Sequence, residues 1–310
     1  MTADMNRIGA KKERVLPMMT VLLVILTIAG YCAATMMMKA YQVSVGPGHF
    51  QTAFMNVALS GAVFLVFVAA RGFHLRHTPL TLILAIAFGA GMWVYSTVKI
   101  RAAGCGPMAV LTMSYVIGGV IVPTLYGLIV LHEPVIPHKL IGVLLIFLSF
   151  LPLLLKSRHQ MVFSLRFWVL CILLLLMNGV LMTISKVAQL KSDPTWSMDY
   201  VGLYYFFYFL VAVAAMGKEL RRPDPHDLQA TVTLPHLLMA AAAGLFNAGG
   251  AVMNYMLSSH LPASVQFPLT QSSMLVVITV ASLLLYREKP DRETVLSLLI
   301  TIASIILISA

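Results

Sequence analysis

Charge is what this sequence has least of. Only 10% of its 310 residues are Asp, Glu, Lys or Arg, too few to hydrate the surface of a soluble domain of this length. Acids are the scarcer kind, 11 against 21 Lys and Arg. Each lies in the N-terminal stretch, a loop or the end of an apolar run, as Glu133, Asp199, Glu219 and Glu288 do, so no carboxylate stands mid-span to neutralise an organic cation or relay a proton. Cysteine is nearly missing too. Cys32, Cys105 and Cys171 are far apart and show no CxxC or Cys/His spacing, which argues against metal, redox or disulfide chemistry and makes them packing residues. His132, His138, His159 and His226 form no metal spacing and no Ser/His/acid group is evident. Catalysis needs two groups within proton-transfer reach, so the chain reads as a non-enzyme without a cofactor.

What the chain has in abundance is apolar residues, 60% of the total, with a mean hydropathy of +0.91. It reads as an all-α integral membrane protein. A helix needs about 20 mostly apolar residues to cross the hydrocarbon, and ten stretches qualify: 17 to 38, 50 to 70, 79 to 100, 106 to 130, 137 to 155, 167 to 188, 199 to 216, 234 to 257, 263 to 285 and 292 to 309. The connections are too short to be domains. The N-terminal MTADMNRIGAKKERV is basic and lacks a small-residue cleavage site, so the first span reads as a retained anchor behind a basic cytoplasmic tail, residues 1 to 16. A net charge of +10 sits mainly in loops and span ends, where anionic lipid headgroups rather than nucleic acid account for it.

Orientation is contested within the sequence. Arg7, Lys11, Lys12, Arg14, Arg71 and Arg76 place the N-terminus in the cytoplasm, whereas Lys156, Arg158, Arg166, Lys218, Arg221, Arg222, Arg287, Lys289 and Arg292 mark loops that this choice puts outside. The first helix usually dominates, so the N-terminus is taken as cytoplasmic, in the cell inner (plasma) membrane.

The chain also repeats itself. PMAVLTMSYVIGGVIVPTLYGLIVLHE (107 to 133) aligns without gaps on PASVQFPLTQSSMLVVITVASLLLYRE (262 to 288) at an offset of 155, matching Pro107 with Pro262, Val110 with Val265, Val122 with Val277, Thr124 with Thr279, Leu128 with Leu283 and Glu133 with Glu288. The proline opens the span and the glutamate closes it in both copies. The same offset pairs Gly89 with Gly244, and an offset of 147 lays KAYQ (39 to 42) on KVAQ (186 to 189). Two five-span units follow, 17 to 155 and 167 to 310, joined by a linker at 156 to 166. Five is odd, so the two units face opposite ways across the bilayer, an inverted repeat with its binding site near the midplane.

With Pro107 through Glu133 followed by IGVLLIFLSFLPLLL, and Pro262 through Glu288 followed by TVLSLLITIASIILIS, the chain resembles the drug/metabolite transporter (DMT) superfamily, in particular its ten-helix EamA-like members. It departs from them in lacking a glycine-rich last helix, keeping Gly142 in the first copy only. The resemblance implies export of amino acids or other metabolites, or, as in sugar-phosphate translocators, anion binding by basic side chains.

Several polar residues interrupt the apolar spans. Gln266, Thr270 and Ser273 fall on one helical face beside Pro268, which frees a backbone carbonyl, with Gln271 close by; they either line a cavity or bond a neighbouring helix. Asn247 and Asn254 flank Ala251 in the eighth span, and the offset of 155 puts Met92, Ser96 and Lys99 on the equivalent face of the third. Lys99 either faces that interior or snorkels to the headgroups. Lys39 and Lys186, each with a glutamine three residues on, are candidates to attract a carboxylate or phosphate or to close opposite mouths. Asn178 and Asn56 read more readily as interhelical bonds. Trp93, Tyr115, Tyr204 and Tyr208 offer stacking surface or belong to core and interface. Glu133 and Glu288 read as tethers of the turns beside them.

The expected function is a secondary transporter of a small neutral, zwitterionic or anionic metabolite such as an amino acid, with membrane lipids as its surroundings and no nucleic-acid partner. The alternative within the same architecture is a lipid flippase or membrane scaffold.

Overall fold

A computed structural model describes residues 2–45, 48–71, 75–103, 108–133, 137–160, 165–192, 196–221, 232–286 and 292–309. They form ten helices: α1 (Thr2–Val45), α2 (His49–Arg71), α3 (Pro79–Ala103), α4 (Met108–Ile129), α5 (Pro137–Gln160), α6 (Leu165–Lys191), α7 (Ser197–Arg221), α8 (Leu234–Leu257), α9 (Ala263–Tyr286) and α10 (Arg292–Ser309). No strand occurs among the described residues. Proline and threonine set several starts. At α3, Pro79 follows Thr78, whose N–H donates to Thr81 Oγ1 at 2.8 Å while the Thr81 N–H donates to Thr78 Oγ1 at 3.2 Å, a reciprocal cap ahead of a residue that has no N–H to lose. Thr233 and His236 make the corresponding box at α8.

Two expected boundaries move. α1 reaches back to Thr2 instead of beginning at 17, because AKKER is built of strong helix formers, so the basic segment extends the helix. α5 likewise runs through the start of the expected linker to Gln160.

The bundle is inside out. Large apolar side chains such as Leu22, Ile25, Ile83, Ile172, Leu176 and Leu299 are exposed, while Thr27, Asn56, Ser60, Asn178, Gln266 and Ser272 are buried. Among the described residues six helices are long and apolar enough to cross a membrane, in α1, α2, α3, α6, α7 and α8, with shorter apolar stretches at Ser114–Ile129, Ala263–Ile278 and Val295–Ser304. This arrangement is compatible with a multi-pass membrane protein.

Helix pairing follows a pattern. α1 lies on α8 and α3 on α6; α2 packs on both α7 and α8, and α3 on α7; α4 packs on α6 and α9, and α1 on α9; α5 and α10 pack on each other. One core gathers Met55, Leu59, Tyr205, Tyr208 and Ala240 from α2, α7 and α8. A second gathers Val116, Ile146, Leu174 and Leu275 from α4, α5, α6 and α9.

Candidate functional site

A central cavity separates the two cores. It encloses about 120 Å³ open to the centres of water molecules, room for roughly eight waters at the 10–15 Å³ each requires, or for one small organic molecule. α1 through α4 and α6 through α9 line it, and no described side chain of α5 or α10 does.

Four helices contribute stripes at helical spacing. α1 presents Tyr31, Thr35 and Met38, and α6 presents Asn178, Met182 and Ser185, the same three positions 147 residues later. From α3 come Met92, Ser96 and Lys99, and from α8 Asn247, Ala251 and Asn254, again the same three positions at the offset of 155. α7 adds Val201, Tyr204 and Tyr208; α4 adds Tyr115; α9 adds Gln271 and Met274.

Hydrogen bonds brace this wall from behind. Asn56 Oδ1 accepts from the Ser96 hydroxyl and the Tyr208 hydroxyl, both at 2.6 Å, tying α2 to α3 and α7. Asn247 Nδ2 donates to the Tyr205 hydroxyl at 2.8 Å and Asn178 Nδ2 to the Tyr115 carbonyl at 2.7 Å. Tyr31 is hydrogen-bonded to Asn254. Gln271 differs: among the described residues its amide nitrogen reaches the Met182 sulfur, at 3.8 Å, and its buried Oε1 has no partner. A buried acceptor left open at a cavity wall is a group a ligand or water can satisfy.

Of the sequence candidates, Lys99, Tyr115, Asn178, Tyr204, Asn247, Asn254 and Gln271 line this cavity. Lys99 turns inward, its Nζ 4.6 Å from the centroid of Tyr115 and 5.9 Å from that of Tyr95, so two aromatic faces hold it in place of the headgroup layer. Five candidates stand elsewhere. Trp93, next to Met92 but about 100° further round α3, packs partly buried against the first core. Lys39 is half-buried in α1 and does not line the cavity.

Gln266, Thr270 and Lys186 do structural work. Gln266 is 0% exposed: its Oε1 accepts from Ser258 Oγ at 2.6 Å, and its Nε2 donates to the Asn254 carbonyl at 2.8 Å and to Asn254 Oδ1 at 3.0 Å. Gln266, in the first turn of α9, is therefore met by the end of α8 across the tight turn between the two helices, and α9 shows the cavity Gln271 and Met274 instead. Thr270 donates to its own helix at the Gln266 carbonyl, 2.8 Å away. The Lys186 ammonium, with the residue 2% exposed, donates to the carbonyls of Ser258 and Leu261 at 3.2 Å each. It lines a separate recess with Glu133 and the α8–α9 turn.

Glu133 has a longer reach than the turn it was expected to tether. His132 takes a left-handed φ of 52° and the Glu133 N–H returns to the Gly127 carbonyl at 3.1 Å. Its carboxylate then accepts from the backbone N–H groups of Ala263 at 2.7 Å and Ser264 at 2.9 Å. It caps α9 with a charge-assisted pair. Glu288, its partner in the sequence alignment, lies outside the described residues. Glu133→Ala is expected to lower stability by about 1–3 kcal/mol, seen as an earlier melting transition in detergent, while Glu133→Gln keeps one acceptor and loses less.

Tyr31, Thr35, Tyr95, Met182, Ser185 and Tyr255 line the cavity and were not picked out from the sequence. The signal existed for four of the α1 and α6 positions. Carrying the 147 register two turns back from Lys39 and Lys186 passes through 38 and 185, 35 and 182, and 31 and 178.

No family model and no curated protein matches the sequence. Among solved structures the chain is similar to one titled only "Crystal structure of protein", with a TM-score of 0.68 at 14% identity over 93% of this chain and 95% of that one. That likeness concerns the fold alone.

Proposed function

We propose that the chain is an alternating-access secondary transporter, two oppositely inserted five-helix halves that enclose one small neutral, zwitterionic or anionic metabolite. The observation that carries the reading is the pairing of cavity positions: Tyr31, Thr35 and Met38 with Asn178, Met182 and Ser185, and Met92, Ser96 and Lys99 with Asn247, Ala251 and Asn254. Two registers, each visible in the sequence away from these residues, converge on a single wall. Equivalent faces of two halves meeting on one site is what a pseudo-two-fold carrier requires, and the odd number of helices per half makes the halves antiparallel. Helix pairing supports it as well, since α1 on α8 corresponds to α6 on α3, and α3 on α7 to α8 on α2. The drug/metabolite transporter resemblance fits this reading, with the N-terminus on the cytoplasmic side.

Closure at one end has identifiable parts. Gln266, Asn254 and Ser258 form a bonded layer next to the cavity, and Lys186 holds the α8–α9 turn beyond it. Glu133 on the first half grips the N-terminus of α9 on the second. Opening that end means releasing this carboxylate together with the packing of α4 on α9 beside it. The test is solute counterflow in proteoliposomes across neutral, zwitterionic and anionic metabolites; saturable exchange of one class supports the reading, and leak-level movement of all of them removes it.

A further inference from the structure

We infer that the solute is an organic monoanion, a single carboxylate on an uncharged aromatic or apolar body, and that Lys99 is the residue that reads the charge. This rests on the transporter reading for the identity of the site and narrows what the site takes. Lys99 is the one Lys, Arg, Asp or Glu among the described residues lining the cavity. Glu133, Asp199, Glu219 and Glu293, the acids whose side chains are described, are not in its lining. The tyrosine rings of Tyr95 and Tyr115 orient the ammonium, standing edge to face at 6.2 Å with an interplanar angle of 90°, but they carry no net charge to cancel it. A cation held in a mostly apolar enclosure is worth most to a ligand that neutralises it.

The count of charges selects among anions. Among the described residues one lysine and no arginine lines the cavity, so a dianionic phosphate would keep an uncompensated charge there, without planar bidentate recognition. A zwitterion would bring an ammonium of its own into a cavity lined by no carboxylate among the described residues, leaving the filled site at +1. A monoanion leaves it neutral. The remainder of the wall suits an uncharged body: Phe88, Tyr204 and Tyr208 on one side, Met92, Met182 and Met274 on others, aromatic faces and adaptable thioethers. The open Gln271 Oε1 adds an acceptor for a hydroxyl or ring N–H on that body.

The experiment compares isosteres on the purified full chain in detergent, reading the melting transition, because a ligand of the folded state raises it. Phenylacetate, benzoate and indole-3-acetate supply the charge; phenylacetamide is neutral, phenethylamine cationic, and phenyl phosphate carries more charge. At least one carboxylate is expected to raise the transition saturably, with phenylacetamide, phenethylamine and phenyl phosphate weaker by about tenfold or more, the scale of one charge-assisted bond. Lys99→Met and Lys99→Gln are expected to abolish the preference for acid over amide, Lys99→Arg to retain part of it, and Lys218→Met, an exposed change at the end of α7, to leave it intact. Equal binding of acid and amide by the unaltered chain, acid binding unaffected by Lys99→Met, or no response to any of the three acids overturns the inference. Flux separates the two levels: an acid that binds but never crosses a liposome membrane removes the carrier and leaves the ligand class, whereas transport of the amide or amine alone does the reverse.

Discussion

Gly118→Ala is expected to be among the most damaging single-methyl additions to this protein. A Cβ at residue 118 of α4 would overlap the Leu175 carbonyl oxygen of α6 and stand 2.6 Å from its carbon and 2.8 Å from its Cα. The obstacle is backbone, so no rotamer change relieves it. Gly179 faces the same crossing from α6, where an added Cβ would meet Val122 and, at 2.8 Å, the Gly118 carbonyl. The two helices touch main chain to main chain, as small-residue crossings in membranes allow. Overpacking ordinarily costs 1–3 kcal/mol, and here about 3 kcal/mol or more is expected, measured as a drop in melting transition and in folded yield. Gly249→Ala is the internal comparison. Nothing lies within 4 Å of its added Cβ, so exchanging glycine for the better helix former should be neutral or stabilise by up to about 1 kcal/mol. Similar behaviour of the two variants would mean that α4 and α6 do not approach as described.

Ala251→Phe should do the opposite, leaving the fold intact and ending transport. Ala251 stands half-buried on the cavity wall between Asn247 and Asn254, beside about 120 Å³ of water-accessible space. A phenyl ring there fills the room a solute needs while removing no hydrogen bond, since no side-chain polar group is lost. Flux of phenylacetate in proteoliposomes is expected to fall to the level of empty vesicles, with the melting transition unchanged or raised. Retention of more than half the flux would place the permeation route elsewhere.

Much of the fold could be read from hydropathy, because each long apolar run has one low-energy state in a bilayer, a helix with its backbone bonded internally. Hydropathy does not see where a helix continues into water, and so it missed the extension of α1 to Thr2 and of α5 to Gln160. The site divides along a similar line. Asn247 and Asn254, with Met92, Ser96 and Lys99, could be found because the offset of 155 puts them at corresponding positions of α8 and α3, and both stripes line the cavity. Gln266 and Thr270 share a face as surely, yet periodicity does not say what each side chain meets; the turn between α8 and α9 gives Gln266 to Asn254 and Ser258, and Thr270 bonds its own helix. Lys186 has the same lesson in charge. Its repetition at Lys39 marked it for function, whereas the structure commits it to two backbone carbonyls at the end of the bundle.

Gly89 and Gly244 show what repetition does carry. Paired by the offset of 155, each sits where an added Cβ would strike a backbone carbonyl across a helix crossing, that of Tyr204 on α7 for Gly89 and that of Leu59 on α2 for Gly244. Both crossings need a small residue at the contact, which is why the glycine stands out at the same offset in the sequence.

The most direct measurement of the account is access to the cavity from the two sides of a membrane. A single cysteine at Ala251, in a chain whose Cys32, Cys105 and Cys171 are replaced by serine, would be exposed to a membrane-impermeant maleimide in right-side-out and inside-out vesicles. Labelling from both sides, suppressed in each case by phenylacetate, is the expected result; labelling from one side only would contradict alternating access about this cavity.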